Sequence, residues 1–108
     1  MLKVLVCVSG GGTNLQAILD QAKEKKLGDV EIVRVISNNA SAYALTRAED
    51  AGVSGVCVSP KDYASRAEFH KAFLQAIDEV SPDLIVLAGF LVVIPEEVIA
   101  KYRNRIIN

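Results

Sequence analysis

The sequence predicts an α/β fold, a doubly wound parallel sheet in three αβα layers, with residues 1–108 forming one domain. Three observations support it. Apolar, β-rich runs alternate with helical patterns along the whole chain, in the order βαβαβαβαβ. The strand-like runs are mostly continuous in their apolar character, as in parallel strands covered on both faces. The chain has 108 residues, 51% hydrophobic and 23% charged, which suits one packed domain and excludes disorder. A compact chain of that length has a radius of gyration of about 13 Å. That is enough for one core but gives thin cover to both faces of a wide sheet.

The elements follow in order. Lys3–Val8 (KVLVCV) reads as a fully buried strand. Asn14–Lys26 reads as a helix with Leu15, Ile18, Leu19 and Ala22 on one face and Gly28 as its stop. Val30–Ser37 reads as the second strand. Ala42–Ala51 is helical, with Leu45 and Ala48 inward and Gly52 as the breaker. Gly55–Ser59 is a short third strand closed by Pro60. Ser65 and Glu68 have capping-box spacing, and Phe69, Phe73, Ile77 and Val80 form the apolar stripe of the helix they open. Pro82 marks its end. Leu84–Ala88 is a fourth strand. Pro95 takes the favoured first position of a short helix. Glu96 and Glu97 in its first turn and Lys101 and Arg103 in its last complement the helix dipole. Arg105–Ile107 begins a further apolar run before Asn108.

Composition narrows the function classes. Lys+Arg is 12 and Asp+Glu 13, a net charge of −1, so no basic excess points to nucleic acid. Trp is absent and aromatics are 6%, which argues against stacking platforms. The longest apolar run, Leu84–Ile94 with Gly89 included, is about eleven residues, too short for a membrane helix. The strand-like start at Met1 shows no signal-peptide pattern, so a cytoplasmic protein is expected. Cys7 and Cys57 sit in apolar runs without metal spacing and read as buried free thiols. With His70 the sole histidine, no histidine metal site is expected.

Two segments stand out as candidate sites. Ser9-Gly10-Gly11-Gly12-Thr13-Asn14 follows the first strand and opens a helix. Three glycines let backbone N–H groups converge on a ligand, and the helix N-terminus adds positive potential, so an anion is expected there. The plain alternative is a tight turn with Thr13 or Asn14 as N-cap. The loop is not a Walker A motif, and Leu15 stands where a dinucleotide fingerprint needs its third glycine. Asn38-Asn39 ends the second strand where a ribose-binding acidic residue would stand, which argues against NAD. The second segment is Gly89-Phe90-Leu91-Val92-Val93-Ile94, after the fourth strand. Gly89 suggests close backbone approach. Leu91–Ile94 either packs a loop into the core or lines a pocket for a flat apolar ligand. In a doubly wound sheet the fourth strand neighbours the first across the switch point, so both segments should lie side by side. Arg66 is either solvated or reaches a carboxylate. His70, one step off the phenylalanine stripe, reads as a surface or boundary residue.

SGGGTNLQAILD at 9–20, ISNNASAYALTRAEDAG at 36–52, SPDLIVLAGF at 81–90 and YRNRIIN at 102–108 occur together and in order. With these motifs the chain closely resembles the phosphoribosylglycinamide formyltransferases, also called glycinamide ribonucleotide transformylases, over essentially its whole length. The resemblance implies a Rossmann-like sheet and transfer of formyl from 10-formyltetrahydrofolate to glycinamide ribonucleotide in purine synthesis, with no metal. It places the substrate phosphate on Gly11, Gly12, Thr13 and Asn14, and the reacting amine beside Gly89. It places the folate against Arg66, Leu91, Val92, Val93 and Ile94, with backbone groups binding the pterin. Asn108 matches the family's catalytic asparagine, which holds the formyl oxygen and stabilises the oxyanion.

Two departures qualify that expectation. Family members often carry Met-Arg where this chain has Leu91-Val92. The family's histidine, in Asn-Ile-His-Pro, and its later aspartate have no counterpart within these 108 residues. The resemblance therefore implies an N-terminal half, nearly inactive by itself because general acid–base catalysis contributes ~10²–10⁴-fold. It further implies pairing with a C-terminal half, or a homodimer. The rival readings are another folate-dependent formyltransferase, such as one acting on methionyl-tRNA, and a stand-alone nucleotide- or phosphate-binding module. Near-neutral charge and the run Asn14-Leu15-Gln16 disfavour the first.

Overall fold

In a parallel sheet packed on both faces, each strand needs apolar side chains on its odd and its even positions. The first strand shows this directly in a computed structural model that describes residues 1–108. The elements are β1 (Leu2–Val8), α1 (Thr13–Lys23), β2 (Val30–Ser37), α2 (Tyr43–Asp50), β3 (Gly55–Cys57), a 3-10 turn (Pro60–Asp62), α3 (Arg66–Asp78), β4 (Leu84–Leu87), α4 (Glu96–Lys101) and β5 (Ile106–Ile107). The strands pair in parallel in the order β3-β2-β1-β4-β5. β4 lies beside β1, as the sequence predicts for a doubly wound sheet. The radius of gyration is 13.0 Å.

Val4, Val6 and Val8 of β1 pack with Leu15 and Leu19 of α1 and Ala44 and Ala48 of α2. Leu5 and Cys7 face the other way, toward Phe69, Phe73 and Ile77 of α3 and Val98 of α4. Two cores thus share one strand, and the three layers form around it. Burial pushes the Cys7 thiol up to about 12, so it stays protonated as an apolar filler. Cys57 is half-buried, where full burial was expected, because β3 lies at the sheet edge.

β2 departs from simple alternation. Val4 pairs with Ile32 but Leu5 pairs with Arg34, so Val33 is an extra, unpaired residue. This bulge puts Ile32 and Val35 on the α1/α2 face while Ile36 faces α3. Arg34 also reaches α3, donating to the Ala76 carbonyl and to Glu79 Oε1, both at 2.8 Å.

Several boundaries differ from the sequence expectation for local reasons. α1 ends at Lys23, not Lys26. Lys25 is left-handed (φ 60), Lys26 N–H bonds Gln21 O and Lys25 N–H bonds Ala22 O, a Schellman closure made with lysine instead of glycine. α2 buries Ala44 and Ala48, leaving Leu45 half-exposed. β3 stops at Cys57, because Pro60 starts the 3-10 turn. At α3 the box is present: Ser65 Oγ accepts from Glu68 N–H at 3.2 Å, and the Glu68 carboxylate accepts from Ala64 N–H. Pro95 is the N-cap of α4, not its first residue, and Arg103 lies beyond its end.

Asp78 at the end of α3 holds α4 in place. It accepts from Lys101 Nζ at 2.8 Å and from the Tyr102 hydroxyl at 2.7 Å. Burial alone would raise the Asp78 carboxyl, but the bonds from Lys101 and Tyr102 and the Lys101 charge outweigh it, and it lies below the usual value. Burial, then the hydrogen bond to Asp78 and its charge, push Tyr102 up to about 12, against the pull of Arg105. The two signs differ. The depressed carboxylate stabilises the fold above its ordinary range and loses that contribution as acid protonates it. The raised phenol stabilises the fold below pH about 10 and loses the contribution as pH climbs toward 12. Tyr102→Phe should cost about 1 kcal/mol near neutrality and abolish the alkaline loss between those two pH values. Urea unfolding at a series of pH values measures both.

Candidate functional site

Parallel strands bring their carboxyl ends to one edge, where Ser9 follows β1, Asn38 follows β2 and Ala88 follows β4. Val86 pairs with Ile107, so Asn108 emerges at the same edge. Gly11–Asn14, Gly89 and Asn108 are therefore gathered there, as the sequence implies. Ser9 ties the two loops together, because its Oγ accepts from Leu91 N–H at 2.8 Å.

The glycine turn has a specific local shape. Gly12 is the N-cap of α1 at φ 81 and ψ 32, with no side chain capping the helix. Neither Thr13 nor Asn14 takes the N-cap role that the plain reading offers. A Cβ on Gly12 would lie 2.8 Å from Ala44 Cβ and 3.1 Å from Ala44 Cα. Gly12 O accepts from Gln16 N–H at 2.8 Å and Gly11 O accepts from Arg47 Nε at 2.8 Å. The N–H groups from Gly10 to Asn14 donate to no protein acceptor. The start of an eleven-residue helix and this run of free donors together suit an anion. Gly89 needs its freedom for a left-handed turn (φ 73). A Cβ there would meet nothing within 4 Å, so close approach by another part of the protein is not the reason for the glycine.

The second feature is a cleft of about 700 Å³ between the N-terminal end of α3 and the loop entering α4. Arg66, Val92, Val93 and Ile94 line it together, across 26 or more positions of sequence. Tyr63 and Phe69 add an aromatic wall. Val92 and Ile94 also pack on the core, so both readings of that segment hold at once. Leu91 is 85% exposed and is not among the lining residues. Arg66 makes no salt bridge or hydrogen bond, which leaves a free cation at an otherwise half-apolar cleft.

Two residues at the site were not among those expected from sequence. His70 lines the cleft, half-buried, with Nδ1 3.7 Å from Glu97 Oε2. Its i+4 spacing from Arg66 was a usable signal. Arg47 grips the glycine turn from α2, a contact across 36 positions that no local pattern encodes. At the end of β2, Ser37 Oγ accepts from Asn39 N–H, and Asn38 Oδ1 is buried without a partner. No three His, Cys, Asp or Glu side chains come together, and no helix is long and apolar enough to cross a membrane.

Comparison with known proteins gives one consistent result. Residues 2–108 match the family described as formyl transferase. The chain is 39% identical over 107 residues to the trifunctional purine biosynthetic protein adenosine-3 of Gallus gallus, covering 99% of this chain and 11% of that protein. It is 34% identical over 107 residues to the phosphoribosylglycinamide formyltransferase of Escherichia coli, covering 99% of this chain and 50% of that one. The crystal structure of glycinamide ribonucleotide transformylase 1 from Symbiobacterium toebii superposes with a TM-score of 0.90 at 38% identity, over 98% of this chain and 50% of that one. The chain thus spans about half the length of the single-function relatives it matches.

Proposed function

The chain belongs to the formyl transferase family, and on that footing we propose that it serves formyl transfer from 10-formyltetrahydrofolate to glycinamide ribonucleotide in the cytoplasm. One observation carries the reading: a glycine turn with free N–H donors and a half-apolar cleft with a free arginine lie at one sheet edge, joined by the Ser9–Leu91 hydrogen bond.

The proposed roles are those that the family resemblance implies and that the positions of these residues support. Free N–H groups of Gly11, Gly12, Thr13 and Asn14 hold the substrate phosphate. Gly89, without a side chain, leaves room for the amine. Val92, Val93 and Ile94 line the folate's ring system, and Arg66 pairs with a carboxylate of its tail. The fit is chemical as well as spatial, because the cleft offers apolar and aromatic walls beside that cation. Leu91 contributes through its carbonyl alone, since Ser9 already takes its N–H. The substrate amine attacks the formyl carbon, and the Asn108 amide donates to the oxygen that gains negative charge. Collapse of that intermediate breaks the bond to the folate nitrogen, which takes up one proton as the attacking amine gives one up.

Titration calorimetry with glycinamide ribonucleotide and with a folate formyl donor tests the reading, followed by transfer assays on a chain extended to its relatives' length. Binding of both is expected, with ribose 5-phosphate competing against the first only. Transfer should reach glycinamide ribonucleotide and not methionyl-tRNA. Binding of glycinamide ribonucleotide that ignores ribose 5-phosphate would refute the phosphate assignment.

A further inference from the structure

Arg47 is the half-buried cation nearest the glycine turn. Its Nε donates to Gly11 O at 2.8 Å and its Nη1 to Gln16 Oε1 at 3.1 Å. Gln16 is itself anchored, donating to Asp20 Oδ1 at 2.9 Å. The guanidinium lies 4.8 Å from the centre of the Tyr43 ring. It makes no salt bridge.

The direction of these bonds matters. In a planar trans peptide the C=O and the N–H point to opposite sides, and the chain has no cis peptide. Arg47 draws the Gly11 carbonyl toward α2, so the Gly12 N–H must point away from it. Gln16 draws the Gly12 carbonyl into α1, so the Thr13 N–H is likewise turned outward. Two consecutive donors are thereby aimed to the open side of the turn. A glycine-rich segment has little preference of its own between this arrangement and the flipped peptide.

We propose that Arg47 is a positioning residue for phosphate binding: by holding the Gly11 carbonyl it aims the Gly12 N–H at the ligand. The inference rests on the phosphate assignment made above. A bidentate fork is required for it, because one guanidinium must hold a backbone carbonyl and a side-chain amide at once. A lysine would keep the charge and lose the second bond and the fixed direction.

The test uses the full 108-residue chain with ribose 5-phosphate as the probe, read by calorimetry and by amide NMR. In the unmutated chain the Gly12 and Thr13 amide protons should show the largest downfield shifts on titration, a readout that needs no variant. Arg47→Lys and Arg47→Met should both weaken binding by about tenfold or more. In both, the Gly12 amide should already be displaced before ligand is added. If Arg47→Lys binds as the unmutated chain does while Arg47→Met does not, charge alone is at work and the positioning role is overturned. Equal binding by all three overturns it as well and leaves the phosphate site standing. No binding and no amide shift in the unmutated chain overturns both.

Discussion

Gly12→Ala should destabilise the chain by about 2–4 kcal/mol and remove phosphate binding. Two costs add at this position. A side chain at φ 81 costs about 1 kcal/mol or more relative to glycine. The new Cβ would also sit 2.8 Å from Ala44 Cβ and 3.1 Å from Ala44 Cα, and the second of these is backbone that cannot rotate away. Overpacking of this kind adds roughly 1–3 kcal/mol. Ala44 is fully buried in the core that β1 shares with α1 and α2, so the strain is not relieved outward. Gly10→Ala is the control. Nothing lies within 4 Å of its Cβ position, so a change of about 0.5 kcal/mol or less is expected. Denaturant unfolding of the two variants side by side decides the matter, and equal stabilities would contradict the account.

Phe73→Ala has the largest expected effect on the other core. Its side chain is completely buried, its ring 5.8 Å from that of Phe69 in an edge arrangement and 5.7 Å from that of Phe90. Phe-to-Ala changes in cores cost about 3–5 kcal/mol. A domain this small has a total stability of about 5–15 kcal/mol, so a large share is lost. The effect also reaches the cleft. Phe69 lines it directly, and Phe90 leads into the 92–94 wall. The variant should therefore bind a folate ligand more weakly even under conditions where it remains folded, while ribose 5-phosphate affinity changes little. Loss of both affinities in equal measure would show that the damage is global.

The strands and the glycine turn with its free N–H groups were legible in the sequence because their causes are local. An apolar run with no polar face needs cover on both sides, and a triple glycine before a helix exposes several N–H groups at once. That the fourth strand lies beside the first followed from the connectivity of a doubly wound sheet. What escaped was set by tertiary partners. Nothing in residues 24–26 announces that Lys25 will take a left-handed turn. Arg47 is an unremarkable helix residue until α2 is laid beside the loop after β1. His70 reads as peripheral until α4 brings Glu97 across from it. The cleft itself joins segments that share no pattern, so only its components could be named beforehand.

The bulge at Val33 has a consequence for how this chain can change in length. Eight residues of β2 run level with seven of β1, and the surplus one resets the parity of the strand. Deleting Val33 would close the bulge and leave Ile32, Arg34, Val35 and Ile36 alternating on the faces they already occupy, whereas inserting a residue beside Arg34 would exchange the two faces on one side of the insertion. Arg34 would then lose Glu79 and the Ala76 carbonyl and enter an apolar layer that offers a guanidinium no partner. A single-residue insertion or deletion within β1, or an insertion within β2, thus acts as a frameshift in space, whereas the turn between Glu24 and Asp29 can absorb one without altering which residues face which core.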